Sequence, residues 1–229
     1  MMLTKDELSW IDERMKIYDI KYQEIYNEIL DHIITAIEEK RKAGDQQDIK
    51  WLFQQVVDDH FGGFFGLENL ATGQKDIYLQ SVRRLWNASF RYYLNWQMLV
   101  FTLVAILISF KLPDVKMVRV TLMSGCLLLA FSPLLYTYFS LSGKIKTIKG
   151  KQSLIKGHMV TRAYVPGALL NLLIYAPQFV LLFTNKDDNW SFFKHVPTTV
   201  VTAILMVFVL LNLTAIRFCK EMMVANSLT

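Results

Sequence analysis

The spacing of hydrophobic residues changes near residue 94. Before that point, apolar residues recur every three or four positions between charged ones, which is typical of amphipathic helices around a small core. After it come four nearly uninterrupted apolar segments, at about 94–110, 120–141, 164–184 and 198–216. A helix needs roughly 20 such residues to cross a bilayer. We therefore predict an all-α protein, with a cytosolic three-helix domain (1–75), a pre-membrane helix (76–93) and a four-helix transmembrane bundle (94–229).

Three helices are predicted in the N-terminal domain. Thr4 and Glu7 fit a capping box at the start of the first. The second runs from about Gln23 to the basic residues at 40–42 and stops at Gly44, and the third covers roughly 48–61. The second helix is expected to present Tyr22, Ile25, Ile29, Ile33 and Ile37 on its apolar face, and the third to bury some of Leu52, Phe53, Val56 and Val57.

The segment FGGFFG, residues 61–66, follows the third helix. A nucleotide-binding loop would need a strand before its glycines, so we predict a helix stop instead. Gly62 or Gly63 is expected to take the left-handed conformation that ends the helix, with Phe61, Phe64 and Phe65 folding back on the core. The glycines predicted to form a hinge are Gly62, Gly63 and Gly66. The chain then continues towards the first span, with an interruption expected near Gly73.

The charged loops predict the orientation in the membrane, because lysine and arginine are retained on the cytosolic side. The loop after the second span carries Lys144, Lys146, Lys149, Lys151, Lys156 and Arg162 and no acid. The loop after the third has Lys186 and Lys194 against Asp187 and Asp188. With a polar, acidic start in place of a secretory signal, we predict a multi-pass protein of the bacterial inner membrane with both termini cytosolic. Three cations at 111–119 argue weakly the other way.

A basic and aromatic segment, VRRLWNASFRYYLNW at 82–96, precedes the first span. Aromatic rings favour the headgroup layer, and arginine reaches lipid phosphates. A nucleic-acid surface is the disfavoured alternative beside a span. The isoelectric point near 9.1 fits the same contact with anionic headgroups. The predicted membrane-interface residues are Arg83, Arg84, Trp86, Arg91, Tyr92, Tyr93 and Trp96.

The predicted spans contain no Lys, Arg, His, Asp or Glu in their interiors. Their interior amides are Asn171 and Gln178, seven residues apart on one helix face, and Asn212. Asn171 and Asn212 are expected at similar depth and within reach of each other, so they predict interhelical hydrogen bonds. A polar substrate path is the alternative, and prolines 133 and 177 add to it because broken helices occur in transporters.

The second helix has an exposed acidic face that we predict to bind a partner. Its residues are Glu24, Asn27, Glu28, Asp31 and His32. There are two alternatives. The face is solvated and has no ligand, or its carboxylates and imidazole hold a divalent metal ion. We predict no cofactor, and no enzyme, because the four histidines are scattered through three regions without a catalytic set.

Three parts of the N-terminal region together resemble a family of Bacteroidota membrane proteins with a cytosolic helical domain and four spans. They are IKYQEIYNEILDHIITAIEEK (20–40), the segment at 61–66 and the LENL that follows it. That domain is similar to the HAAS-type, or permease-prefix, domains often encoded beside PadR-like transcription regulators. Asp19 and Tyr26 depart from the family pattern. The resemblance implies a signalling or regulatory association.

These observations lead to three hypotheses about function. The first is a non-enzymatic regulatory membrane protein whose cytosolic domain binds a partner protein. The second is a small transporter or permease accessory subunit, and the third a structural membrane protein. A homo-oligomer is compatible with all three, since four spans alone bury little surface.

Overall fold

The computed structural model describes residues 3–141, 148, 150–182 and 196–227. Within these ranges every regular element is a helix, apart from one isolated parallel β-bridge between Tyr22 and Gln152. The helices are α1 (Lys5–Met15), α2 (Gln23–Lys42), α3 (Ile49–Phe61), α4 (Gly63–Tyr93), α5 (Trp96–Ser109), α6 (Lys116–Leu141), α7 (Leu154–Ala163), α8 (Val165–Leu182) and α9 (Thr198–Ser227). The predicted all-α class is confirmed. Several predicted loop charges lie outside the described residues: Lys144, Lys146, Lys149, Lys186, Asp187, Asp188 and Lys194.

The chain forms two compact units. The N-terminal unit runs up to Val82 and also contains the described residues of the segment that ends at Leu154. The second unit begins at Arg83 and resumes at Ile155. Helix α4 continues through Gly73, so the interruption predicted there is wrong. One glycine costs only about 1 kcal/mol inside a helix, which the long helix tolerates.

The first three helices of the N-terminal unit follow the prediction closely. Both hydrogen bonds of the capping box form, because the Glu7 amide donates to the Thr4 side chain and the Thr4 amide donates to Glu7. Asp48 caps α3 by accepting a bond from the Lys50 amide. The core contains the predicted apolar residues and others from α1 and its connector. Its fully or nearly buried members include Ile11, Met15, Tyr18, Ile25, Tyr26, Ile29, Ile33, Ile37, Leu52, Phe53, Val56, Val57 and Leu67.

Gly62 ends α3 with φ of 71°, which confirms the predicted left-handed stop. Gly63 also has positive φ and begins α4. Gly66 has a different role: a Cβ there would lie 1.7 Å from the Phe61 carbonyl oxygen, so only glycine allows this close approach of α4 to the end of α3. Phe65 does not fold back on the core as expected, since its side chain is 78% exposed.

Two helices of the described residues are long and apolar enough to cross a membrane, over Lys116–Ser140 and Thr198–Val224. Helices α4 and α5 form a third candidate if they count as one span, bent by 57°. The described residues therefore contain two or three candidate spans by length and composition. A separate span over α8, and with it the four-helix bundle, stays a prediction, because part of the predicted segment 164–184 lies outside the described residues.

Helix α9 packs against α5, α6 and α8 in the second unit. Phe208 of α9 is fully buried in a cluster with Cys126 and Ala130 of α6 and Leu170 of α8. Gly125 lets α6 approach α9 closely, because a Cβ at this position would lie 3.2 Å from Cδ1 of Leu205 on α9. Cys126 and Cys219 are buried free thiols.

Candidate functional site

Two short segments of the N-terminal unit pair along their backbones. The Gln23 amide donates to the Gln152 carbonyl and the Gln152 amide donates to the Lys21 carbonyl, both at 3.0 Å. The Ile148 amide donates to Gln23 Oε1 at 2.5 Å. Residues 20–24, 148 and 150–154 together are called the loop clasp below. Residues 148–154 belong to the predicted loop between the second and third spans, which the sequence did not assign to the N-terminal domain.

Glu24 is the acidic side chain of the loop clasp. Its carboxylate accepts hydrogen bonds from the Ser153 hydroxyl at 2.5 Å and the Leu154 amide at 3.0 Å. Leu154 is 4% exposed and joins the core of the N-terminal unit. Because Leu154 begins α7, a charged acceptor at its amide also satisfies an otherwise unpaired donor at a helix start. Glu24 therefore binds this chain's own loop.

Lys151 inserts into the same region. Its ammonium donates to the Ile20 carbonyl at 2.8 Å and lies 4.1 Å from the centre of the Tyr26 ring, a cation–π distance. Burial lowers the pKa of Lys151, while the carboxylates of Asp19 and Asp12 oppose that shift. A cleft of about 610 Å³ opens beside the clasp. The cleft is lined by residues 16–21, by Tyr26 and Ile148, and by residues 150–152.

Tyr26 connects the clasp to α1. Its hydroxyl donates to Asp12, with 2.8 Å to Oδ1 and 2.9 Å to the backbone oxygen. Burial and the Asp12 carboxylate raise the pKa of this phenol. Tyr26 is a position where the chain departs from the family pattern that it resembles, and here it forms part of the core.

The rest of the predicted partner-binding face remains accessible. Asn27, Glu28, Asp31 and His32 are all exposed on α2, whereas Glu24 is half-buried in the clasp. The structure thus separates Glu24 from the other four. Among the described residues, no group of three or more His, Cys, Asp or Glu side chains is arranged to hold a metal ion.

Two residues of the predicted membrane-interface segment stack with arginines from other helices. Arg162 of α7 lies over the Trp86 ring, 5.0 Å from its centre, and Arg217 of α9 lies 3.6 Å from the centre of the Tyr92 ring. Trp86 also contacts Phe218 edge to face, with 5.5 Å between ring centres. Trp86, Tyr92, Arg162 and Arg217 are called the basic edge cluster below. Sequence reasoning missed Arg217, because its ring partner Tyr92 lies far from it in the chain.

The other predicted interface residues stay on the surface. Arg83, Arg84 and Arg91 are exposed, as is Trp96, whereas Tyr93 is half-buried and contacts Tyr92 edge to face. Ser89 lies on α4 between Trp86 and Tyr92 and is 2% exposed. Its hydroxyl has no hydrogen-bond partner in the described part of the chain.

A second polar network lies in the connection between α5 and α6. Asp114 accepts hydrogen bonds from Arg119 at 2.7 Å and from the Thr198 hydroxyl at 2.5 Å. These bonds lower the pKa of Asp114, with Arg119 the larger cause and Thr198 the next. Because Thr198 is the first residue of α9, the network ties this connection to the start of α9.

In the described part of the chain, Asn171 and Asn212 bond to other partners and not to each other. Asn212 of α9 donates to the Leu129 carbonyl of α6 at 3.0 Å and contacts the Ser132 hydroxyl. Asn171 donates to the Tyr164 hydroxyl at 3.2 Å, so the expected pairing of Asn171 with Asn212 is wrong. Gln178 lies within α8, and its side chain falls outside the described part.

A buried polar contact extends the interface between α6 and α9. The Thr137 hydroxyl lies 3.3 Å from Cys219 Sγ, seven residues after Asn212 on the same side of α9. The polar groups of this interface therefore bond to each other or to the backbone.

No protein-family model, curated protein or solved structure matches this chain.

Proposed function

We propose that this chain is a non-enzymatic, multi-pass regulatory protein of a bacterial inner membrane, in which the N-terminal unit binds a cytosolic partner protein. The loop clasp is the observation that carries the proposal. It joins the N-terminal unit to the segment that leads directly into α7. Partner binding that strains or relieves the clasp would act on this segment. The exposed α2 residues Asn27, Glu28, Asp31 and His32 form the proposed partner surface.

The membrane topology proposed here has four spans with both termini in the cytosol. Two sets of contacts support it. The basic edge cluster brings together residues 86, 92, 162 and 217, all next to predicted cytosolic span ends. The Asp114 network brings together residues 114, 119 and 198, all next to predicted outer span ends. A chain with a different number of crossings would separate one of these sets.

The resemblance of residues 20–40 and 61–70 to HAAS-type domains supports the same proposal. The clasp adds a physical route for regulation, because it is held by two backbone hydrogen bonds and by the contacts of Glu24. The proposed states are a closed clasp and an open one. A partner that binds one of them better shifts the population towards it.

The experiment combines partner capture with opening of the clasp in native membranes. A photo-reactive residue at Asn27 or Asp31 captures partners from cells carrying the otherwise unchanged full-length chain. The same capture is repeated with Glu24→Ala, which removes the acceptor for Ser153 and Leu154. The matched control is Glu39→Ala, which removes an exposed carboxylate from the far end of the same helix.

We expect capture of a cytosolic regulatory protein, with a yield that changes several-fold in Glu24→Ala and stays constant in Glu39→Ala. Trypsin should also cleave after Lys151 faster in Glu24→Ala, which reports opening independently. Unchanged capture despite faster cleavage would contradict the regulatory role of the clasp. Crosslinks to other copies of this chain alone would indicate a homo-oligomer instead of a complex with a partner protein.

A small transporter or permease accessory subunit is the second candidate. Pro133 inside α6, beside the amide of Asn212, is the observation that favours it. Replacing Asn171, Gln178 and Asn212 by leucine distinguishes the candidates. A regulator that still folds should keep its partner, whereas a transporter should lose activity.

A further inference from the structure

Arg162 carries a half-buried positive charge that no carboxylate offsets in the described part of the chain. Its guanidinium is stacked on Trp86. Arg217 shows the contrast within the same cluster: it stacks on Tyr92 and also pairs with Glu221 at 3.1 Å. Taking a cation partly out of water costs free energy unless an anion or other acceptor replaces the lost hydration.

A second basic group lies beside Arg162. His158 precedes it by one helical turn on α7, so both side chains are on one face. Burial lowers the pKa of His158, and the neighbouring charge of Arg162 lowers it further. One wall of this place is therefore aromatic, and the other carries the positive charge of Arg162 beside the His158 ring. An arrangement of this kind attracts an anion that fits the planar donors of the guanidinium.

The chemical class follows from the donor and from its place in the chain. A guanidinium presents parallel N–H groups that match two oxygens of a phosphate. Arg162 stands three residues before Val165, where α8 begins, and thus at the headgroup layer of the topology proposed above. Basic pockets at the cytoplasmic ends of membrane helices are suited to anionic headgroups.

We propose that Arg162, with His158 and the Trp86 ring, binds the phosphate of an anionic phospholipid. This goes beyond general attraction between the exposed arginines and the membrane, because it assigns one half-buried residue a discrete lipid. It rests on the membrane placement proposed above but not on the partner protein. A bound lipid would connect α4 and α7 at the membrane edge.

The test uses the full-length protein in detergent micelles and native mass spectrometry. Phosphatidylglycerol is titrated in, and phosphatidylcholine serves as the zwitterionic comparison. We expect one phosphatidylglycerol to bind in preference to phosphatidylcholine. Arg162→Gln should weaken that binding by about tenfold, equal to about 1.4 kcal/mol. Arg84→Gln, which removes an exposed charge from α4, should change it by less than about twofold.

Equal losses in Arg162→Gln and Arg84→Gln would overturn the proposal in favour of general attraction. So would equal binding of the two lipids. Displacement of the lipid by millimolar inorganic phosphate would assign the site to a free anion instead. If Arg162→Gln does not fold, Arg162→Lys tests the proposal instead, since lysine keeps the positive charge but lacks the parallel N–H groups of the guanidinium. We expect it to bind a few-fold more weakly, and wild-type affinity would overturn the proposal.

The micelle measurement is independent of the partner experiment. Failure of lipid binding leaves the captured partner and the loop clasp unaffected. Failure to capture a partner leaves the difference between Arg162→Gln and Arg84→Gln intact. The two proposals therefore fail separately.

Discussion

Asn212 donates a hydrogen bond to the carbonyl of Leu129, the group that lies four residues before Pro133. Proline has no amide hydrogen, so Pro133 leaves this carbonyl without its usual donor within α6. The side chain from α9 supplies the missing donor. A kinking residue on one helix and an amide on its neighbour thus form one unit, which accounts for a polar residue in this apolar interface.

Asn212→Leu should destabilise the protein by about 1 kcal/mol, because it leaves the Leu129 carbonyl with only the long 3.5 Å hydrogen bond from the Ser132 hydroxyl. In a Pro133→Ala background the helix supplies its own donor, so the same change should cost clearly less. Unfolding in mixed SDS and detergent micelles measures all four variants of the cycle. Equal costs in the two backgrounds would show that Asn212 acts independently of the proline.

Gly66→Ala should destabilise the N-terminal unit by about 2 kcal/mol or more, because the new methyl group overlaps the Phe61 carbonyl. Gly73→Ala is the matched control in the same helix. A Cβ there has nothing within 4 Å, so we expect a gain of up to about 1 kcal/mol from helix propensity. Thermal unfolding of the full chain, followed by circular dichroism, compares them. Tolerance of Gly66→Ala would mean that α4 shifts freely at this point.

The capping box should make stability depend on pH. A hydrogen bond from the Thr4 backbone is the largest influence on the pKa of Glu7, and with Arg41 it holds that pKa below its ordinary value of 4.5. A depressed pKa means that the stabilisation is present above about pH 4.5 and is lost as the pH falls through the folded-state pKa. Glu7→Gln should therefore unfold at a lower temperature than wild type at neutral pH.

The difference in unfolding temperature between wild type and Glu7→Gln should narrow as the pH is lowered to about 3. Asp6→Asn removes a carboxylate from the same turn but leaves the capping box intact, so it serves as the control. A difference that stays constant across this range would exclude the proposed contribution of Glu7.

Ser89→Ala should stabilise the protein by roughly 0.5 to 1 kcal/mol. The hydroxyl is buried without a partner among the described residues, so its removal recovers a desolvation cost. Ser81→Ala is the control, because the Ser81 hydroxyl donates to the Tyr78 carbonyl at 2.8 Å and is exposed. We expect that change to stay within about 0.5 kcal/mol. Loss of stability in Ser89→Ala would point to a bonding partner for the hydroxyl.

Local signals accounted for most of the elements. Ile25, Ile29, Ile33 and Ile37 of α2 recur at helical spacing and are buried, since this period alone decides which face of a helix is apolar. Thr4 and Gly62 act within one turn of their own positions, so their caps were also predictable. Phe65 was not, because whether a side chain reaches the core depends on the direction of α4 after Gly66.

The candidate sites depended on contacts between residues far apart in the chain. Glu24 reads in sequence as one more exposed acid on α2, and only the fold places it against Ser153 and Leu154. Asn171 and Asn212 were expected to pair from their depth, yet depth does not determine the rotation of a helix about its axis. That rotation turns Asn212 towards α6.

The helical class, the caps, the apolar segments and the change in composition near residue 94 could be predicted from sequence, because each depends on residues within a few turns of one another. Other features emerge only from the packing of helices. Residues 148 and 150–154 join the N-terminal unit, Arg162 and Arg217 stack on Trp86 and Tyr92, and Asn212 donates to the carbonyl that Pro133 leaves without a donor. Hydropathy sets which residues leave water, but directional hydrogen bonds and ring contacts depend on how whole helices pack.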